Sequence, residues 1–289
     1  RTSMRIVKLR DISELKTGPF GTQFRASEYV TEGIPVINVK NIGYGSLLVS
    51  GLDHVSENTL ERLSEHKLQE GDIVFGRKGS VDRHCLIRKG QDGWMQGSDC
   101  IRVRFTDAIV YPEFVSYYLL TDAVKMKINN SAVGSTMASL NTDILGDIDI
   151  ILPDCEEQKR IALILGTIDK KISNNNQIND YLCAQLQILF SYLFNISVMP
   201  ESWTQGVLAD IANITMGQSP SGESFNTQGN GYPFYQGSTD FGTIFPAKRM
   251  YTDKPSRYAA VFDTLLSVRA PVGSLNIAYE NCCEAGIKT

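Results

Sequence analysis

Residues 154–194 read DCEEQKRIALILGTIDKKISNNNQINDYLCAQLQILFSYLF, and the spacing of their apolar side chains decides how the rest of the chain is divided. Asp154 suits a helix N-cap and Glu157 follows three residues later, the pattern of a capping box. Ile161, Leu165, Ile168 and Ile172 then recur in alternating steps of four and three. Asn175 and Asn179 hold the next two places, and Leu182, Leu186, Leu189, Leu193 and Ile196 resume the series. Five heptads in one register predict a coiled-coil seam, because a helix lying on its own domain normally carries a wider apolar stripe. At about 1.5 Å per residue such a helix runs roughly 60 Å. The two seam asparagines give up stability to fix alignment.

On either side of this helix the chain repeats itself. LRDISELKTG (9–18) recurs as LADIANITMG (208–217), Gly33-Ile34-Pro35 as Gly231-Tyr232-Pro233, Asp72 in GDIVFGRKGSV as Asp263 in FDTLLSVRAPV, and Gly97 as Gly286. The matches keep their order, and their separation shrinks along the copy as loop deletions would shrink it. Three domains are therefore expected: 4–153, the helix at 154–198, and a partial second copy at 199–289 that lacks the last third of the first. Arg1–Ser3 reads as an added leader and Met4 as the native start.

Within the first copy, 34–39, 72–76, 100–105 and 147–152 read as strands. In 100–105, Ile101, Val103 and Phe105 share one face and Arg102 and Arg104 the other. Residues 112–129 read as one helix opened by Pro112. Strands and helices mix without a regular alternation, so the fold class is α+β. Residues 131–143 are small and polar, a loop or helix entrance suited to phosphate contact.

The 289 residues are 42% hydrophobic and 21% charged, ordinary for a globular chain with a core. No apolar run is long enough for a membrane span and the start lacks a signal peptide, so a cytoplasmic protein is expected. The six cysteines form no C-x-x-C pair. They are read as free thiols, and no metal site is expected. The net charge of −4 runs against nucleic-acid binding unless the cations are gathered locally. Between 77 and 104 they are: Arg77, Lys78, Arg83, Arg88, Lys89, Arg102 and Arg104 face only Asp82, Asp92 and Asp99. Candidate DNA contacts are Arg77, Lys78, Ser80, Arg83, Arg88 and Lys89 around the Gly79-Ser80 turn, since arginine can pair with guanine while lysine positions on phosphate. Gly134, Ser135 and Thr136, then Gln23 in the Phe20–Gln23 turn, and Arg269 with Lys248 in the second copy, complete the set. No nucleotide-binding glycine fingerprint, methyltransferase N-P-P-[YF] or D-P-P-[YF], or P-loop is present. Pro153-Asp154 with Glu157-Gln158-Lys159 is too closely spaced for a PD…ExK nuclease, and the helix cap explains it. No catalytic residue is expected.

LKTGPFGTQF (15–24), GDIVFGRKGSVDR (71–83), GSTMASLNTDILGDIDIILP (134–153) and EEQKRIA (156–162), in this order, resemble type I restriction-modification specificity subunits; MGQSPSGESFN (216–226) extends the likeness into the second copy. The resemblance implies two target-recognition domains, each reading half of a split site in double-stranded DNA. Long helices would set the spacing and dock methyltransferase subunits, and motor-nuclease subunits would join them. It implies no cofactor in this chain; the partner methyltransferase would use S-adenosylmethionine. The seam from Ile161 to Leu193 would be the docking surface, and a half-length chain would dimerise through it. Two other readings stand beside this one: the recognition tail of a fused methyltransferase-nuclease, and a coiled-coil adaptor without a DNA role.

Overall fold

The computed structural model describes residues 4–132, 139–195, 200–268, 271–284 and 287–288. They fall into two compact units, Arg1–Ile188 and Leu189–Thr289.

In the first unit, β-branched and aromatic runs build two sheets. One has the strand order Ser13–Thr17, Cys100–Phe105, Ile73–Gly76, His84–Leu86, Tyr44–Gly45; its neighbours are antiparallel except the last pair, which is parallel. The other has the order Tyr29–Val30, Asp53–Val55, Ile34–Ile37, Met95–Gln96, again closing on a parallel pair. A ribbon of Arg5–Lys8 with Asp149–Leu152 joins the start of the chain to the strand that precedes the long helix.

Helices Pro112–Leu119, Asp122–Ser131 and Thr142–Gly146 supply much of the main core, where Phe114, Val115, Leu119, Val124, Ile128 and Leu145 join Leu9, Ile12, Phe75, Ile101 and Val103. The single helix expected over 112–129 is thus two. Thr121 is extended and its hydroxyl donates to the Tyr118 carbonyl at 2.8 Å, so it acts as a boundary between helices rather than an interior residue.

The strand at 100–105 forms as expected, and its arginine face is covered. Arg102 is 2% exposed, donating to Glu14 Oε1 at 2.9 Å and to the Glu65 carbonyl at 2.8 Å. Arg104 pairs with both carboxylate oxygens of buried Asp72 at 2.8 and 2.7 Å. Alternation distinguishes two faces of a strand, but not which of them another segment covers.

The long helix runs Cys155–Leu193, 39 residues. Asp154 Oδ1 accepts the Glu157 N–H at 2.9 Å, as a cap should, while the Glu157 carboxylate turns to Arg160 at 2.7 Å. Its first turns belong to the first unit's core. Ala162 is fully buried and Ile161 packs beside it. The Gln158 side chain accepts from Tyr111 N–H at 2.9 Å and donates to the carbonyls of Ile109 and Pro153 at 3.1 and 2.9 Å. Beyond them Ile168, Ile172, Leu182, Leu186, Leu189 and Leu193 are 49–64% exposed, and off-seam Leu163, Ile164 and Ile178 are 55–70% exposed. The free apolar surface is therefore broader than the heptad seam alone. Ile196 lies outside the described residues. No helix among them is long and apolar enough to cross a membrane.

The second unit repeats the sheet plan of the first. Its order Thr215–Met216, Ile287–Lys288, Thr264–Leu266, Leu275–Ile277 matches the first four strands of the larger sheet, and all pairs are antiparallel. Its other sheet, Phe225–Asn226, Met250–Thr252, Tyr232–Tyr235, Cys282–Glu284, Tyr258–Ala259, keeps the parallel third pair and adds one strand.

Candidate nucleic-acid interface

The basic segment falls between strands Ile73–Gly76 and His84–Leu86. Backbone pairing fixes its root: Arg77 N–H donates to the Asp99 carbonyl at 2.8 Å, and the Arg77 carbonyl accepts from Leu140 N–H at 2.9 Å. Gly79, at φ 79°, makes the turn that leaves Lys78 and Ser80 exposed. Lys78 pairs with Asp99 at 3.1 Å.

The charge surplus expected over 77–104 is largely neutralised by carboxylates from elsewhere in the fold. Arg88 is paired with Glu113, Arg102 with Glu14 and Arg104 with Asp72. Among the described residues, Arg77, Arg83 and Lys89 have no carboxylate partner. Arg77 is half-buried, and Lys89 stands exposed at the start of a single 3-10 turn.

Arg83 is held differently. Its guanidinium lies 5.6 Å from the centre of the Tyr44 ring, and Lys125 Nζ lies 5.3 Å from the same ring. Both are within cation–π range. The Tyr44 hydroxyl donates to Asp82 Oδ2 at 3.5 Å, and Lys125 reaches the exposed Asp122 carboxylate only at 3.9 Å. Beneath this group His84 is fully buried, its Nε2 3.0 Å from Ser116 Oγ. Burial pushes its imidazole down to about 4, opposed by the hydrogen bond to Ser116, so it adds no charge at neutral pH.

The remaining candidates are scattered. Gln23 ends an exposed 3-10 turn, where its carbonyl accepts from Arg62 at 2.7 Å; neighbouring Phe20 is 60% exposed. Lys248 is paired with Glu280. Gly134, Ser135, Thr136 and Arg269 lie outside the described residues. Sequence reasoning missed Tyr44 and Lys125. The only signal was the Gly43-Tyr44-Gly45 triplet, a bulky ring between two residues that favour turns. No group of three or more potential metal-ligating side chains occurs among the described residues.

Comparison with known proteins adds the family. Residues 2–183 match the family model described as the type I restriction modification DNA specificity domain. A Methanocaldococcus jannaschii protein named for the specificity subunit of type I restriction enzyme MjaX is 30% identical over 89% of this chain and 66% of its own length. The specificity subunit of type I restriction enzyme MjaVIII, from the same organism, is 25% identical over 58% of this chain and 40% of its own. The chain thus spans slightly under two thirds of the first relative and well under half of the second. A crystal structure of a type I restriction-modification S subunit from M. genitalium superposes with a TM-score of 0.57 at 15% identity, covering 99% of this chain and 72% of that one, a likeness of fold. With a family model matching most of the chain and a mixed α+β fold of the same kind, the protein belongs to the type I restriction-modification DNA specificity family.

Proposed function

We propose that this chain is a non-catalytic DNA-recognition subunit of a type I restriction-modification assembly, each unit reading half of a bipartite site in double-stranded DNA. The observation that carries this reading, beside the family, is the hairpin of Ile73–Gly76 and His84–Leu86, which carries Arg77, Arg83 and Lys89. These cations have no carboxylate partner among the described residues; Arg77 and Arg83 flank the exposed glycine turn at one end of the hairpin and Lys89 follows its other end, in a chain whose overall charge is negative. Phosphate contacts set register and affinity, and such unneutralised cations are what they require. The exposed apolar surface of the helix between Ile168 and Leu193 supports docking of methyltransferase subunits, with S-adenosylmethionine bound by them, and of motor-nuclease subunits in the full enzyme. In their absence the same surface would pair two copies of the chain.

The test is DNA binding by the protein assembled with its methyltransferase, measured across a salt series. Arg83→Ala and Lys89→Ala should each weaken binding to all sequences and lower the slope of log affinity against log salt by about one. Arg102→Ala, whose guanidinium is buried, should leave the slope unchanged in any folded protein. Equal slopes for all three variants would reject this hairpin as the DNA contact.

A further inference from the structure

One local construction, a turn closed by a backbone hydrogen bond to a residue with a buried polar side chain, occurs in both units. In the first unit, the buried Asn41 side chain donates to the carbonyls of Leu48 and Ser50 at 3.1 and 3.3 Å, and Leu48 N–H donates to the Asn41 carbonyl at 2.8 Å. In the second unit, the buried Asp240 carboxylate accepts from Gln236 N–H and from Arg249, and Ala247 N–H donates to its carbonyl at 2.7 Å. Each turn then passes through a glycine that a side chain could not replace without a shift. A Cβ on Gly43 would lie 2.9 Å from the Ser46 carbonyl oxygen, and one on Gly242 2.5 Å from that of Phe245. Each is also tied to the fourth strand of the matching sheet, Tyr44–Gly45 by pairing with His84–Cys85 and Ile244 by accepting Ile277 N–H at 2.8 Å.

What these fixed turns display is apolar and unburied. Tyr44 is 51% exposed and Val49 64%; Ile244 is 50% and Phe245 43%. Side chains so placed add little to either core, yet their backbones are locked, which is the arrangement expected where contact geometry must be set in advance. In the first tip the Tyr44 ring sits directly against Arg83 and Lys125. An exposed ring among phosphate-seeking cations suits the major groove, where thymine methyls are read by apolar contact.

We infer that the turns 43–49 and 242–248 are equivalent base-reading elements of the two units, Tyr44 and Val49 contacting base edges in one half-site and Ile244 and Phe245 in the other, while Arg83 and Lys125 hold flanking phosphates. This rests on the DNA-recognition reading above and assigns its specificity to named residues.

The experiment selects binding sites from a randomised duplex library with the assembled methyltransferase complex. It compares wild type, Tyr44→Ala/Val49→Ala, Ile244→Ala/Phe245→Ala, and Lys125→Ala. The first double variant should lose about tenfold discrimination at one or two positions of one half-site and keep the other half intact. The second should do the reverse. Lys125→Ala should lower affinity evenly and keep the selected sequence. Unaltered base preference in both doubles would overturn the inference. So would loss of methyltransferase binding with base preference intact, which would make the turns a protein-docking surface. A wild-type complex that selects no sequence would instead fail the underlying reading, and the two failures are distinct.

Discussion

Leu9 and Ile12 in the first unit are 0% and 3% exposed; Leu208 and Ile211, which hold the same places before the first sheet strand of the second, are 50% and 86% exposed. The strands around both pairs have the same order and sense. The difference lies in what covers them. In the first unit the helices between Pro112 and Gly146 bring Phe114, Val115, Leu119 and Leu145 against Leu9 and Ile12, and among the described residues of the second unit nothing equivalent does. Among the described residues the sheet plan is thus repeated and the cover over it is not, and the apolar pattern of LADIANITMG shows only the first of these.

That contrast can be broken most directly by truncating matched residues. Ile12→Ala should destabilise the first unit by about 3 kcal/mol, the usual cost of emptying a buried isoleucine site, and Ile211→Ala should change the second by less than about 0.5 kcal/mol. Each unit has its own tryptophan, Trp94 and Trp203, so denaturant titrations of single-tryptophan variants report on the two separately. Equal losses would show that Ile211 is covered in solution.

Acid sharpens the same comparison. His84 faces Phe75 across the strand pair, where the second unit has Leu275 facing Leu266. The folded imidazole titrates near 4 and the unfolded one near 6.5. The unfolded chain therefore binds the extra proton first as pH falls, and the His84 contribution is complete above pH 6.5 and lost between 6.5 and 4. The first unit should weaken across that window by on the order of 3 kcal/mol, with no matching step from Leu275 in the second. His84→Gln should remove most of the slope whatever it does to stability at neutral pH, leaving the part due to His66, whose imidazole is also pushed down by burial.

The smallest effect concerns Phe262. It is 74% exposed at φ 72°, in the position where the first unit has Gly71 at φ 91°. A left-handed conformation costs a side-chain-bearing residue about 1–2 kcal/mol, and little burial would be lost, so Phe262→Gly should stabilise the second unit by about 1 kcal/mol in the same titration. A loss of stability would mean that the ring has a partner in solution.

The elements most legible in the sequence are those fixed by local rules. Strands at 34–37, 73–76, 100–105 and 149–152, the Asp154 cap and the long helix all follow from periodicity and capping. Facts that depend on distant residues were not legible. Arg102 and Arg104 entered the basic surplus over 77–104 because Glu14, Glu65 and Asp72, which hold them, lie outside that segment. Tyr44 meets Arg83 and Lys125 only because a parallel strand and a helix converge there. The break at Thr121 was missed because its hydroxyl acts on the preceding turn, which apolar spacing does not record.

The buried Gln158 has a mechanical consequence. Its side-chain amide grips three backbone groups of the first unit, Ile161 and Ala162 are set in that unit's core, and the Tyr117 hydroxyl donates to Asp169 Oδ2 at 2.7 Å, so the long helix leaves as a cantilever clamped as far as Asp169. From Asp169 to Ile188 the free arm is roughly 30 Å at about 1.5 Å per residue. A tilt of about 7° at the clamp would sweep Ile188 sideways by about 3.5 Å, close to the ~3.4 Å step between successive base pairs of duplex DNA. One glutamine at the root thus trims the aim of a beam whose far end lies many turns away.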